Sequence, residues 1–269
     1  MSVCHAVIVT AAGSSSRFNA AKVASSASGS PCASVCASVK KEFLKVKGKS
    51  ILTNAVMPFL QVKGLALVLI TYRKDSLQET KESLKGLDLP KGVELVFVEG
   101  GATRQESVFN ALKELDYINT HRRLGIELVS IHDGARPFVK KETIEACLEA
   151  ALKIGGAAPC VPVSDTLVRA EKGLLCGRLD RTNVYTVQTP QTFRFPEILR
   201  AHEAVAHEAV AQVVAREQAG KQAGEQAVGA NNGLIYTDDT QIFTAYGFQV
   251  AIVEGDPKNK KITYPKDLE

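Results

Sequence analysis

The most constraining feature of this chain is a regular alternation of short apolar runs with amphipathic stretches. Ala6 to Thr10, Leu65 to Thr71, Val93 to Val98 and Leu128 to His132 are apolar runs of strand length. Ile51 to Leu60, Asp75 to Leu84, Ser107 to Leu115 and Lys141 to Lys153 carry helical patterns. Val161-Pro162-Val163 and Gln249 to Val253 read as further strands. Strands separated by helices favour a mostly parallel sheet with helices on both faces. The expected fold is therefore α/β, a single Rossmann-like domain over 1–269. Ligands of such sheets sit beyond the carboxyl ends of the strands, which directs attention to the loops after Thr10, Val98 and His132.

Three segments depart from this rhythm. Within an arm over about 164–189, the short apolar pieces Leu174-Leu175 and Val184 to Val187 are separated by Gly177, Arg178 and Asp180. They read as an extended arm or hairpin suited to a dimer contact. Asn19 to Ser38 is dominated by Ala and Ser, and Ala201 to Asn232 by Ala, Gln, Glu and Gly. Low-complexity stretches of this kind (about 19–38 and 201–232) read as surface insertions, the first half of the second being helical in pattern. His202 and His207 within it imitate a zinc-protease helix. That motif needs histidines at i and i+4; these are five apart, about 140° around a helix, and a repeated Ala-His-Glu-Ala-Val accounts for them.

Charge and cysteine usage remove several classes. With 33 basic and 29 acidic side chains the net charge is only +4, and no dense basic run argues for a nucleic-acid or membrane surface. No stretch of about 18 apolar residues is long enough to span a bilayer. The N-terminus runs directly into an apolar strand without a signal-peptide pattern. Cys4, Cys32, Cys36, Cys147, Cys160 and Cys176 are scattered, and no Cys/His pair completes a metal site with Cys32 and Cys36. The expectation is a cytoplasmic protein with reduced thiols.

Four loops carry candidate chemistry. Thr10-Ala11-Ala12-Gly13-Ser14-Ser15-Ser16-Arg17 follows a strand; small residues let amides approach a phosphate and Arg17 adds a cation. It fits neither a Walker A loop nor a GxGxxG fingerprint. Gly100-Gly101-Ala102-Thr103-Arg104-Gln105-Glu106-Ser107 suits close backbone approach to a flat ligand, although Ser107 also reads as a helix cap. In Ile131-His132-Asp133-Gly134-Ala135-Arg136-Pro137, Asp133 suits a magnesium ion bridging phosphates, or a turn cap; His132 reads as a core residue. Gly255 to Asp267 brings Lys260 and Lys261 to the same sheet edge. Together these loops describe a nucleoside triphosphate site.

In this order, Ala11-Ala12-Gly13 with Arg17, Lys41-Glu42-Phe43-Leu44, Gly100-Gly101 with Arg104 and Ser107-Val108, Asp133 to Pro137, Asp165-Thr166, Asp180-Arg181, Thr189-Pro190-Gln191, Thr237-Asp238 and Asn259 to Asp267 resemble the 2-C-methyl-D-erythritol 4-phosphate cytidylyltransferase family. The resemblance covers nearly the whole chain apart from the two insertions. It implies a nucleotidyltransferase-type (GT-A-like) sheet, transfer of CMP from CTP to 2-C-methyl-D-erythritol 4-phosphate, and release of pyrophosphate with Mg2+ or another divalent cation. It implies that Ala11, Ala12, Gly13, Gly101, Ser107, Asp133 and Ala135 bind CTP, Asp133 also holding the metal. Arg17, Lys41 and Lys261 would surround the α-phosphate, and Thr166, Arg181, Thr189 and Lys261 would grip the polyol phosphate. A homodimer with crossing arms is implied, Thr166 and Arg181 serving the neighbouring site. Thr10 stands where the family commonly has proline, and the 19–38 insertion makes the choice of Lys41 over Lys40 depend on Lys-Glu-Phe-Leu. The fused, two-enzyme form of the family is not expected. Rival readings are a D-ribitol 5-phosphate cytidylyltransferase and a nucleotide-binding protein without turnover.

Overall fold

The computed structural model describes residues 3–26, 40–220 and 236–268. In chain order its elements are β1 (His5–Thr10), α1 (Ser16–Ser26), a 3-10 turn (Lys41–Phe43), β2 (Lys45–Val46), β3 (Lys49–Ser50), α2 (Ile51–Val56), β4 (Leu65–Tyr72), α3 (Leu77–Ser83), β5 (Glu94–Glu99) and α4 (Arg104–Arg122). They continue with β6 (Leu128–Asp133), α5 (Lys141–Ile154), β7 (Gly156–Pro162), β8 (Val168–Glu171), β9 (Leu174–Arg178), β10 (Tyr185–Val187), β11 (Gln191–Arg194), α6 (Phe195–Gly220), α7 (Asp239–Ala245) and β12 (Val250–Glu254). The main sheet runs β10-β7-β11-β6-β1-β4-β5, with β12 beside β7. β6, β1, β4 and β5 are mutually parallel, and β11 runs antiparallel between β6 and β7.

The parallel half explains the apolar runs. Val7 and Val9 of β1 pack on one face with Leu52, Phe59, Val68 and Ile70, while Ala6 and Ile8 pack on the other with Leu67, Leu69, Val108 and Leu112. Successive strand residues point to opposite faces; a strand covered on both sides is largely apolar. Thr10 pairs in register with both Thr71 and Asp133. The carboxyl ends of β4, β1 and β6 therefore finish level, and three polar side chains form a row at one edge of an otherwise apolar sheet.

Several elements differ from expectation. α4 starts at Arg104, capped by Thr103, whose Oγ accepts from the Glu106 amide at 3.1 Å. The helix expected to reach Leu60 stops at Val56, and Phe59–Gln61 continues as a 3-10 turn after Pro58, a residue that cannot supply an interior helical N–H. The first insertion begins as helix, α1 running to Ser26, and α6 carries the second as far as Gly220; the remainder of each lies outside the described residues, as do Cys32 and Cys36. Cys4, Cys147, Cys160 and Cys176 are free thiols.

The arm is a hairpin, β8 paired antiparallel with β9 apart from the main sheet. It is shorter than 164–189, because Tyr185–Val187 returns to pair with Cys160–Pro162 of β7. Among the described residues, no helix is long and apolar enough to cross a membrane.

Candidate active site

A cleft of about 540 Å³ opens at the carboxyl edge of β1, β4 and β6. Ala12, Gly13, Arg17, Lys41, Gly101, Ser107, Asp133, Ala135 and Lys261 line it. The sequence-derived site residues thus converge on one cavity, with four exceptions. The Ala11 amide already donates to the Thr71 carbonyl at 3.1 Å and to its hydroxyl at 3.2 Å, so it is committed to the sheet edge. Thr189 lies beneath the floor and not on the wall, 4% exposed. Thr166 and Arg181 are exposed on the arm and do not line this chain's cleft.

Close approach between loops needs small residues. A Cβ on Gly100 would lie 2.4 Å from that of Ala12 and 2.8 Å from Ser107 Oγ, so any side chain there would force the first and second loops apart. Ser107 is neither the cap of α4 nor a free hydroxyl. Its Oγ accepts from the Gly101 amide at 3.1 Å and donates to the Thr103 carbonyl at 2.8 Å, folding the loop back on the helix start.

Asp133 is the electrostatic centre. Its Oδ2 faces Lys261 Nζ at 2.9 Å and Arg136 Nε at 3.3 Å, and its Oδ1 faces Arg104 Nε at 3.6 Å. Burial opposes ionisation, but the Lys261, Arg104 and Arg136 charges outweigh it and hold the carboxyl well below the usual carboxylate range. Lys261 reaches this position because the C-terminal segment is strapped over the β6 loop. The Ile262 amide donates to the Ala135 carbonyl at 2.8 Å, and Arg136 Nη1 donates to the Asn259 carbonyl at 2.8 Å.

Lys41 enters from the other flank, 8% exposed, its Nζ donating to the Ile262 carbonyl at 2.6 Å. Burial lowers its pKa, with Lys261 and Arg17 acting in the same direction and Glu42 and Asp133 opposing. Its backbone amide donates to Ser15 Oγ at 3.3 Å, and Ser15 Oγ donates to Glu42 at 3.1 Å. These bonds join the first loop to the Lys41 turn across the first insertion. Lys40 instead turns away to donate to Ser76 Oγ at 3.0 Å and does not line the cleft.

His132 is structural. Its Nε2 donates to the Arg136 carbonyl at 3.1 Å, leaving Nδ1 to accept from Thr189 Oγ at 2.9 Å. Thr189 Oγ in turn accepts the Asp133 amide at 3.1 Å. Burial pushes the His132 pKa down to about 4, so the ring is neutral and fixes the peptide that carries Asp133.

The sequence pattern does not single out Asp239. It is fully buried, 2.8 Å from Arg104 Nη2 and 3.2 Å from His202 Nε2. His202, the first histidine of the zinc-like pattern, thus belongs to a carboxylate pair behind Arg104, whereas His207 is exposed. Asp238, the neighbouring residue within the recognised Thr237-Asp238 pair, caps α7 by accepting the Gln241 amide at 3.0 Å. Among the described residues, no cluster of three His, Cys, Asp or Glu side chains is arranged to hold a metal.

A family model described as 2-C-methyl-D-erythritol 4-phosphate cytidylyltransferase matches residues 5–269. A protein of that name from Cereibacter sphaeroides is 39% identical over 228 residues, covering 85% of each chain. One from Bacillus mycoides is 29% identical over 264 residues, covering 98% of this chain and 94% of its own. The crystal structure of the Thermus thermophilus enzyme of the same name superposes with a TM-score of 0.64 at 29% identity, over 100% of this chain and 96% of that one.

Proposed function

The chain belongs to the 2-C-methyl-D-erythritol 4-phosphate cytidylyltransferase family, and from that premise we propose that it transfers CMP from CTP to 2-C-methyl-D-erythritol 4-phosphate. The products are 4-diphosphocytidyl-2-C-methyl-D-erythritol and pyrophosphate. The observation that best supports this reading at the site is the meeting of Arg17, Lys41, Asp133 and Lys261 around one small-residue loop. A protein that merely bound nucleotide would have little use for so many cations beside a triphosphate.

The chemistry joins two anions. A phosphate oxygen of the polyol phosphate attacks the α-phosphorus of CTP in line, forming the new P–O bond as the bond to the β-phosphate oxygen breaks. Such a reaction is limited by positioning and charge neutralisation. A phosphate monoester is largely deprotonated near neutral pH, so the reaction needs no side-chain nucleophile and no strong general base. Lys41 and Lys261 would flank the α-phosphate from opposite sides. Arg17, exposed at the start of α1, would complete the ring of cations around the α-phosphate.

Asp133 is the carboxylate suited to magnesium. One carboxylate completed by substrate phosphates is an ordinary setting for Mg2+, and the donor set fits an ion delivered with the triphosphate more than a resident one. Bound there, the ion would neutralise triphosphate charge. Asp133 would hold it, with Lys261 beside the carboxylate.

The exposed arm, with Leu174 at 74% and Leu175 at 75% exposure, suits a second copy of the chain, so that Thr166 and Arg181 would complete the neighbour's polyol phosphate site. Pyrophosphate release from CTP with Mg2+ tests the activity, comparing methylerythritol 4-phosphate with ribitol 5-phosphate. Preference for the first is expected. Preference for the second would reassign the acceptor, and silence with both in protein that binds CTP would leave a nucleotide-binding role.

A further inference from the structure

We propose that Arg73, a residue outside the motifs that identify the family, grips the pyrophosphate end of CTP; this rests on the cytidylyltransferase reading above. Arg73 lies two residues beyond Thr71, the β4 member of the level row with Thr10 and Asp133, and lines the same cleft as Ser14, Ser15, Arg17 and Lys41.

Its guanidinium is paired with the Asp75 carboxylate. Nε donates to Asp75 Oδ1 at 2.6 Å and Nη2 pairs with Oδ2. That bidentate clamp occupies one edge of the planar group and leaves Nη1 outside it. The turn beneath is closed by Ser76, whose amide and hydroxyl both donate to the Arg73 carbonyl, at 2.7 and 3.0 Å. Ser76 Oγ also accepts from Lys40. The Arg73 turn is therefore tied to the segment that carries Lys41 and Glu42, and Glu42 to Ser15. This places Arg73 on the wall shared with the Ser14–Arg17 loop.

Arg73 is paired with Asp75, Arg17 is exposed on the same wall, and the other cations of the cleft are also engaged within the protein. Lys261 and Arg104 face Asp133, Arg104 also faces Asp239, and Lys41 donates to Ile262. The leaving pyrophosphate gains negative charge as its bond to the α-phosphorus breaks. A half-exposed guanidinium on that wall answers this need, and its partial exposure leaves it reachable by the departing group.

The test compares equilibrium binding of inorganic pyrophosphate with Mg2+, of CMP, and of CTP to wild type, Arg73→Ala and Arg73→Lys. Arg73→Ala should weaken pyrophosphate and CTP about tenfold or more, the scale of a lost charge-assisted hydrogen bond, and leave CMP unchanged. Arg73→Lys should recover only part of the loss. Unchanged pyrophosphate binding by Arg73→Ala, or an equal loss for CMP and pyrophosphate, would overturn the assignment. Wild-type protein binding neither CTP nor pyrophosphate would instead bring down the underlying reading.

Discussion

Lys261 places its Nζ 2.9 Å from Oδ2 of Asp133, joining the C-terminal segment to the end of β6 at the centre of the cleft. The same carboxylate faces Arg136 and Arg104. Asp133 is thus the anion that all three cations share, Arg104 having Asp239 as a second partner.

Replacing Asp133 with Asn should therefore damage stability and chemistry together. Three cations would be left facing one another, with a cost on the order of 3 kcal/mol for breaking a buried charge set. Chemical denaturation would read this loss. Turnover should fall at least about a hundredfold and lose its magnesium response. A variant with ordinary magnesium dependence would remove Asp133 from the metal role.

Lys41 offers the cleaner separation. Its side chain touches the Ile262 carbonyl and the cleft, so Lys41→Ala should leave the fold intact at a cost of about 1–3 kcal/mol for the unpaired carbonyl. Turnover should drop about a hundredfold, the scale for removing one positioned charge at a reacting centre. Steady-state rates at saturating CTP check this, and near-normal turnover would show that Lys41 does not face the α-phosphate.

Arg181 tests the arm. Arg181→Ala should raise the polyol phosphate requirement far more than the CTP requirement. If each arm serves the neighbouring site, co-expressed Lys41→Ala and Arg181→Ala chains should recover activity that neither has alone. A mixture as inactive as its parents would count against crossing arms.

Asp239 lies behind the site, yet its loss should be felt there. Asp239→Ala would strand Arg104 and His202 without their shared carboxylate. A stability loss of about 3–5 kcal/mol is expected, with a raised CTP requirement because Arg104 would no longer be held beside Asp133. Denaturation midpoints and CTP titrations measure the two effects.

Stability should also fall on mild acidification. His5 and His132 are both fully buried, and burial pushes each pKa down from 6.5 to about 4. Between those values the unfolded chain binds more protons than the folded one, so stability rises with pH through this window and declines as pH falls from about 6.5 toward 4. At pH 5 the loss should be on the order of 2 kcal/mol for each ring relative to neutral pH. Urea denaturation at pH 7 and pH 5 would reveal it, and equal midpoints would contradict the buried, neutral assignment.

The sheet was legible in the chain because β1, β4 and β6 are buried on both faces, which favours largely apolar runs, broken in β6 by the buried Ser130 and His132. The loops Ala11 to Arg17, Gly100 to Ser107 and Asp133 to Pro137 were legible because close backbone packing admits only small residues, as Gly100 against Ala12 shows. Other features depend on contacts between distant segments. Only the Lys-Glu-Phe-Leu motif separates Lys41 from Lys40 in the sequence; the ties to Ser15 and Ile262 turn one into the cleft, while Ser76 draws the other away. Thr189, expected to grip the polyol phosphate, is instead buried by the sheet against His132 and the Asp133 amide. His202 joins Asp239 only when α6 and α7 pack together. Periodicity and small-residue spacing record what a segment needs from its own backbone, and these the sequence determined by itself. Which buried charge meets which partner was decided by the tertiary structure, because an ion pair is selected by distance in space and leaves no period along the chain.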